Sequence, residues 1–172
     1  MVCVLVFSGL FFAGAREAQA GQEEWMFSVV PQGSMIRAYK HTRWGGGLAT
    51  SLEYGFTDSW SLKGVLSYNA HAVLGDDPGV LSVATGGLNV VYTVDILRIV
   101  PYLQLGLEGA ALGDGGEDWQ AQLGVVAGAG LDYLLSRRWS LGVDIGYHLF
   151  VPDTKNLPAM LNIGFRITRR WY

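Results

Sequence analysis

From Trp25 onward the chain alternates large apolar residues with small or polar ones in eight segments of roughly ten to fourteen residues, and no segment carries a helical period. That is the period of β-strands. The pattern is cleanest over 139–150, where Trp139, Leu141, Val143, Ile145, Tyr147 and Leu149 share one face and Ser140, Gly142, Asp144, Gly146 and His148 the other. A slip of one residue would invert both faces. The same parity sets Trp44, Leu48, Leu52, Tyr54 and Phe56 against Gly45, Gly47, Ala49, Ser51, Glu53 and Gly55. It continues with Trp60, Leu62, Leu66 and Tyr68, with Leu88, Val90, Tyr92 and Val94, and with Leu103, Leu105 and Leu107. Leu123, Val125, Leu131 and Tyr133, then Leu161, Ile163, Phe165 and Ile167, complete the large face. Residues 25–38 run less regularly, because Pro31 and Gly33 interrupt them and predict a bulge or bend.

The connections alternate in length. Tight ones are expected near 57–59, 96–97 and 135–137, and longer polar ones over 39–43, 71–81, 112–118 and 151–158. An up-and-down meander of eight strands puts the three tight turns at one end and the four longer loops at the other, the asymmetry of barrels that cross an outer membrane.

Composition then decides which face meets what. Half of the 172 residues are apolar and only 16% are charged, yet no internal stretch reaches the ~20 apolar residues of a membrane helix. Glycine, at 24 residues, is about twice its usual share. A soluble barrel would turn its apolar face inward and show water a face rich in Lys and Glu. Here the opposite face is mostly Gly, Ala, Ser, Thr, Gln and Asn, which suits the crowded interior of an eight-stranded barrel, so the large face is assigned to lipid. Aromatic residues gather at the segment ends, with Tyr54, Phe56, Trp60, Tyr92, Tyr133, Trp139 and Trp171 beside the tight turns and Trp44, Tyr68, Trp119 and Tyr147 beside the long loops. Two interfacial girdles around an apolar band are expected. The length fits one domain, and the net charge of −3 leaves no basic surface for a nucleic-acid backbone.

The few charges on the small face fall inside such a barrel, where they need partners. A three-residue turn at 57–59 places Glu53 across from Lys63 and predicts an ion pair between them. Glu108, Asp132, Asp144, His148 and Arg166 are expected to share the lumen as a polar plug, since eight strands enclose a space about wide enough for side chains to fill.

Residues 1–20 read as a signal peptide, although no Lys or Arg precedes Arg16: an apolar run to Ala15 is followed by Ala18-Gln19-Ala20 before Gly21. The barrel domain is then 21–172, and cleavage removes Cys3, the only cysteine. Disulfides, zinc-thiolate sites and a cysteine nucleophile are thereby excluded.

At this point the chain resembles the small eight-stranded outer-membrane barrels of Gram-negative bacteria, the group that includes the OmpA membrane domain, OmpX and OmpW. The run Gly128-Ala129-Gly130-Leu131-Asp132-Tyr133 and the stretch from Leu161 to Ile167 look like strands of these proteins. Members usually finish in an aromatic residue read by the insertion machinery, and this sequence ends Trp171-Tyr172, with Arg169 and Arg170 just before, where an apolar residue is usual. The resemblance implies an all-β, eight-stranded antiparallel up-and-down transmembrane barrel in the outer membrane. Its implied partners are membrane lipid, lipopolysaccharide and the insertion machinery, with no cofactor and a monomeric state. With the eighth strand at the end of the sequence, no peptidoglycan-binding domain is expected.

The remaining polar residues carry little that points to chemistry. The lipid A deacylases of this size resemble one another in a His-x-Ser pair on one strand, and neither His41, His71 nor His148 stands in one. His148, Asp144 and Ser140 form a triad only by stretching over ~25 Å of strand, so His148 reads as a lumen hydrogen-bonding residue. No GxxxxGK[ST] or HExxH is present. The acidic loop at 114–118 lacks EF-hand spacing and reads as a solvated loop. Lys40 and Arg43, at the first long loop, are candidates for lipopolysaccharide phosphates. The expected role is structural or interactional without catalysis, with a narrow conduit for small or hydrophobic solutes as the alternative and a soluble periplasmic barrel as the third.

Overall fold

The computed structural model describes residues 23–38, 41–73, 79–94, 98–114, 119–151 and 158–171. Eight strands, β1 (Trp25–Ala38), β2 (His41–Gly55), β3 (Trp60–Val73), β4 (Gly79–Thr93), β5 (Ile99–Asp114), β6 (Trp119–Leu134), β7 (Trp139–Val151) and β8 (Ala159–Trp171), follow one another around a closed barrel. Every neighbouring pair is antiparallel, and β1 pairs with β8 to close the ring. Closure leaves no unpaired sheet edge, which a strand needs if it is to lie in hydrocarbon.

Two of the connecting turns share one construction. In the β2–β3 turn the Thr57 Oγ1 accepts from the Trp60 backbone N–H at 2.9 Å, and in the β6–β7 turn the Ser136 Oγ accepts from the Trp139 N–H at 3.2 Å. Each hydroxyl thus caps the chain three residues on, where a tryptophan opens the next strand. Both barrel termini lie at this same end, here called the terminal end; the opposite one is the loop end.

The strands are 13 to 16 residues long, more than the roughly 9–11 needed to cross a bilayer. They project past the apolar band at the loop end and absorb residues expected to be loop. The connections expected over 39–43, 71–81, 112–118 and 151–158 shrink to 39–40, 74–78, 115–118 and 152–158. The contrast with the terminal-end turns, 56–59, 94–98 and 135–138, shrinks with them. Beyond the lipid neither face of a strand has to be apolar, so the ladder continues while the alternation that announces it fades.

The bulge expected in β1 does not form. Its register with β2 runs unbroken from Trp25↔Tyr54 to Ala38↔His41, and with β8 it is the same on both sides of a gap at Val30 and Pro31. Pro31 has no N–H to give the ladder, which explains a missing rung without a shift. Gly164 sits against that gap, where a Cβ would lie 2.6 Å from a Val30 methyl and 2.8 Å from the Pro31 carbonyl oxygen.

The barrel is inside out. Leu107, Leu123 and Phe165 are more than 70% exposed, and the remaining large residues of that parity join them over the whole wall. An apolar surface of this extent is stable only against lipid. Trp44, Phe56, Trp60, Tyr68, Tyr92, Trp119, Tyr133, Trp139, Tyr147 and Trp171 lie exposed at the two ends of the wall. Tyr54 is half-buried because Trp25, an aromatic the sequence reading did not assign to a girdle, packs on it at 4.8 Å between ring centroids.

Candidate functional site

The lumen is where polar chemistry concentrates, and it is built in three layers. Nearest the terminal end is a layer of charge. Arg166 on β8 donates from Nη2 to Glu53 Oε2 at 3.0 Å and from Nε to Ser28 Oγ at 3.0 Å, with Nη1 3.6 Å from Asp132 Oδ2. Ser61 donates to the other Glu53 oxygen, and Ser28 is bonded to Thr168 at 2.8 Å. Lys63 Nζ donates to Gln104 Oε1 at 3.0 Å and lies 3.6 Å from Asp144, which also accepts from the Tyr102 hydroxyl. The Tyr102 ring lies under Arg166, 4.8 Å from centroid to guanidinium carbon. Buried charges of both signs are thereby paired and hydrogen-bonded, the condition under which they persist in a low-dielectric interior.

The expected ion pair is corrected in its partner, not in its register. Glu53 and Lys63 do face each other across β2 and β3, but Glu53 is taken by Arg166 and Lys63 by Asp144. Both choices reach beyond the facing residue: Arg166 sets a fixed fork of donors against Glu53, Ser28 and Asp132, and Lys63 is left to Gln104 and Asp144.

The bridges are made possible by glycine. Tyr102, Gly130 and Asp144 are register neighbours on β5, β6 and β7, and the Tyr102–Asp144 bond passes over Gly130. Asp132, Gly142 and Arg166 form the same arrangement on β6, β7 and β8. A Cβ at Gly130 would collide with the Tyr102 hydroxyl, and one at Gly142 with Asp132 Oδ1.

The middle layer is polar and slightly hollow. Glu108 accepts from His148 Nδ1 at 2.7 Å, and His148 Nε2 meets Asn162 at 3.1 Å. Gln32 donates to Asn69 at 2.8 Å. Between these groups lies a cavity of about 40 Å³, lined among others by Lys63, Gln104, Glu108 and His148. That is room for a few water molecules at most.

The loop-end layer is apolar: Ile36, Leu81, Val83, Ala110, Phe150 and Met160 pack together inside the barrel, with Ile36, Val83, Phe150 and Met160 fully buried. Beside it Ser34 and His71 are hydrogen-bonded at 2.9 Å across Gly45, 2% and 0% exposed. This Ser–His contact joins β1 and β3 across β2, so no spacing within one strand announces it.

All seven residues expected in the lumen, Glu53, Lys63, Glu108, Asp132, Asp144, His148 and Arg166, are on the inner face. Tyr102, the apolar layer and the Ser34–His71 pair were missed. Parity alone places Tyr102 with Gln104 and Glu108, but an aromatic residue is read as wall or girdle by default. Arg43 lies on the luminal row at the loop end, half-buried, while Lys40 and the expected signal peptide at 1–20 lie outside the described residues. At the terminal end Arg170 pairs with Glu24 at 3.5 Å, and burial pushes the Glu24 carboxyl above its ordinary range against the pull of that arginine. Arg169 points outward between Trp139 and Trp171, 5.7 and 5.6 Å from their ring centroids. Among the described residues no group of three His, Cys, Asp or Glu is arranged to hold a metal.

A closed eight-stranded ring with an apolar outer wall, aromatic ends and a polar interior defines a transmembrane β-barrel of the Gram-negative outer membrane. The sequence matches the outer membrane protein β-barrel domain family over residues 5–166, and the chain belongs to that family. Its fold is similar to that of Ail, the attachment invasion locus protein of Yersinia pestis, with a TM-score of 0.62, 14% identity, and coverage of 87% of this chain and 99% of Ail. Neisserial surface protein A gives a TM-score of 0.62 at 17% identity over 83% of this chain and 96% of that one. OprG of Pseudomonas aeruginosa gives 0.62 at 14% identity over 88% and 97%. No curated protein matches the sequence.

Proposed function

We propose that this barrel serves the outer membrane as a structural and interaction element, with neither conduction nor catalysis. The observation that carries the reading is the filled lumen: a salt-bridged layer, a polar layer whose cavity is about 40 Å³, and an apolar layer with Phe150 and Met160 fully buried. A solute would have to displace all three. Catalysis finds no support in the two histidine sites, because Ser34–His71 is sealed from solvent and His148 is bonded to Glu108 and Asn162 with no hydroxyl at either ring nitrogen. Interaction is left to the loop end, where Arg43 on β2 is half-buried and is proposed, with Lys40 three residues before it in the sequence, to meet lipopolysaccharide phosphates.

The alternative, a conduit for small or hydrophobic solutes, is separated by a swelling assay. Proteoliposomes carrying the folded barrel are expected to swell in isotonic sugar no faster than protein-free vesicles. Swelling that rises with protein content would establish the conduit.

A further inference from the structure

At the terminal end the lumen holds a cavity of about 100 Å³ beside the β2–β3 turn, whose exposed residues Thr57 and Asp58 form part of its wall. A single water takes roughly 10–15 Å³ of such space, so a small organic molecule has room. The Arg166–Glu53 salt bridge and Tyr102 wall the cavity off from the middle layer, which makes it a blind vestibule. Among the described residues four carboxylates line it, Glu24, Glu53, Asp58 and Asp132, against two guanidinium groups, Arg166 and Arg170. Lys63, the remaining cation of the charged layer, is held by Asp144. Asp132 and Glu24 are 2% and 7% exposed. One oxygen of each is near an arginine, Asp132 Oδ2 at 3.6 Å from Arg166 and Glu24 Oε2 at 3.5 Å from Arg170. The others, Asp132 Oδ1 and Glu24 Oε1, are buried without a hydrogen-bond partner.

We propose that this vestibule binds a small primary alkylammonium ion. Buried carboxylate oxygens are costly to leave without donors, and the excess of negative charge calls for a cation over a neutral donor. A divalent metal does not fit, because no group of three His, Cys, Asp or Glu among the described residues is arranged to hold one. A primary ammonium brings three N–H donors on one compact charge, the chemistry that the two unmet oxygens and the wall hydroxyls of Ser59 and Thr93 require. Met26, Val100 and Leu134 supply apolar wall for the alkyl part. Burial holds the Glu24 carboxyl above its ordinary range in spite of Arg170, as expected where positive charge falls short. Both unmet oxygens belong to buried side chains inside the mouth, which favours a free amine over a lysine tethered to another protein.

Solution NMR of the folded barrel in detergent tests this at mildly alkaline pH, with ethylammonium chloride as the probe and sodium chloride at equal ionic strength beside it. Ethylammonium is expected to give saturable shifts of the Ser59, Ser61 and Thr93 amides, and sodium none. E24Q and D132N are each expected to weaken that binding about tenfold or more, the effect of losing a charge-assisted hydrogen bond. R37Q, exposed at the opposite end, is expected to leave it unchanged. Glu24 stands ahead of β1, outside the sheet, so E24Q provides the readable variant should D132N fold poorly. No saturable shift with ethylammonium, or binding as tight in E24Q as in the unaltered chain, would overturn the proposal. Equal shifts with sodium would also overturn it, by assigning the vestibule to cations at large.

Discussion

At the scale of single residues, the glycines of the inner face act as spacers beneath side chains that meet over them. Gly142 lies under the Asp132–Arg166 ion pair and has no room for a methyl group. G142A is therefore expected to destabilise the barrel by about 1–3 kcal/mol, the usual cost of overpacking, read from urea unfolding in lipid vesicles. Unchanged stability would show that the pair tolerates being pushed apart. Parity made the inner face legible in the sequence down to individual positions, Glu53 opposite Lys63 included. The partners were not legible, because side chains in a narrow barrel pair across two strands or across the lumen. Those distances depend on strand tilt and on which intervening residue lacks a Cβ. Arg166 illustrates this: its hydrogen-bond and ion-pair partners are Ser28, Glu53 and Asp132, from three other strands. None of the three could be chosen from spacing along the chain.

At the scale of elements, the sequence marks strands only where lipid lies against them. The eight segments and their facing were readable because one side had to be apolar, whereas the loop-end extensions were not, since no solvent contrast acts on them. The apolar layer inside the barrel escaped for a related reason. Ile36, Phe150 and Met160 obey luminal parity but look like wall residues, and only the closed ring shows that they fill it. The turns were readable in position and not in mechanism. Thr57 and Ser136 each cap the strand that begins with Trp60 or Trp139, through one hydroxyl accepting a backbone N–H. S136A is expected to cost about 0.5–1.5 kcal/mol, the net worth of a single hydrogen bond, and to leave the register of β6 and β7 unchanged. Thermal unfolding in detergent measures the loss, and a shift in the amide spectrum of the strand interior would mean that the turn sets the register.

At the scale of the whole molecule, the chain distributes its charges by environment. Lys63, Arg166 and four carboxylates lie in the lumen, where each meets a partner, and at the terminal end Arg170 meets Glu24. The middle of the outer wall carries apolar residues, and side chains fill the interior around cavities of about 40 Å³ in the polar layer and about 100 Å³ beside the charged layer. The central claim is that this interior closes the barrel to ions. Planar-bilayer recording on barrel that has been inserted and shown folded by its heat-modifiable migration tests it most directly. A flat baseline at applied potentials of either sign is the predicted result, and discrete, repeatable current steps that scale with protein insertion would contradict it.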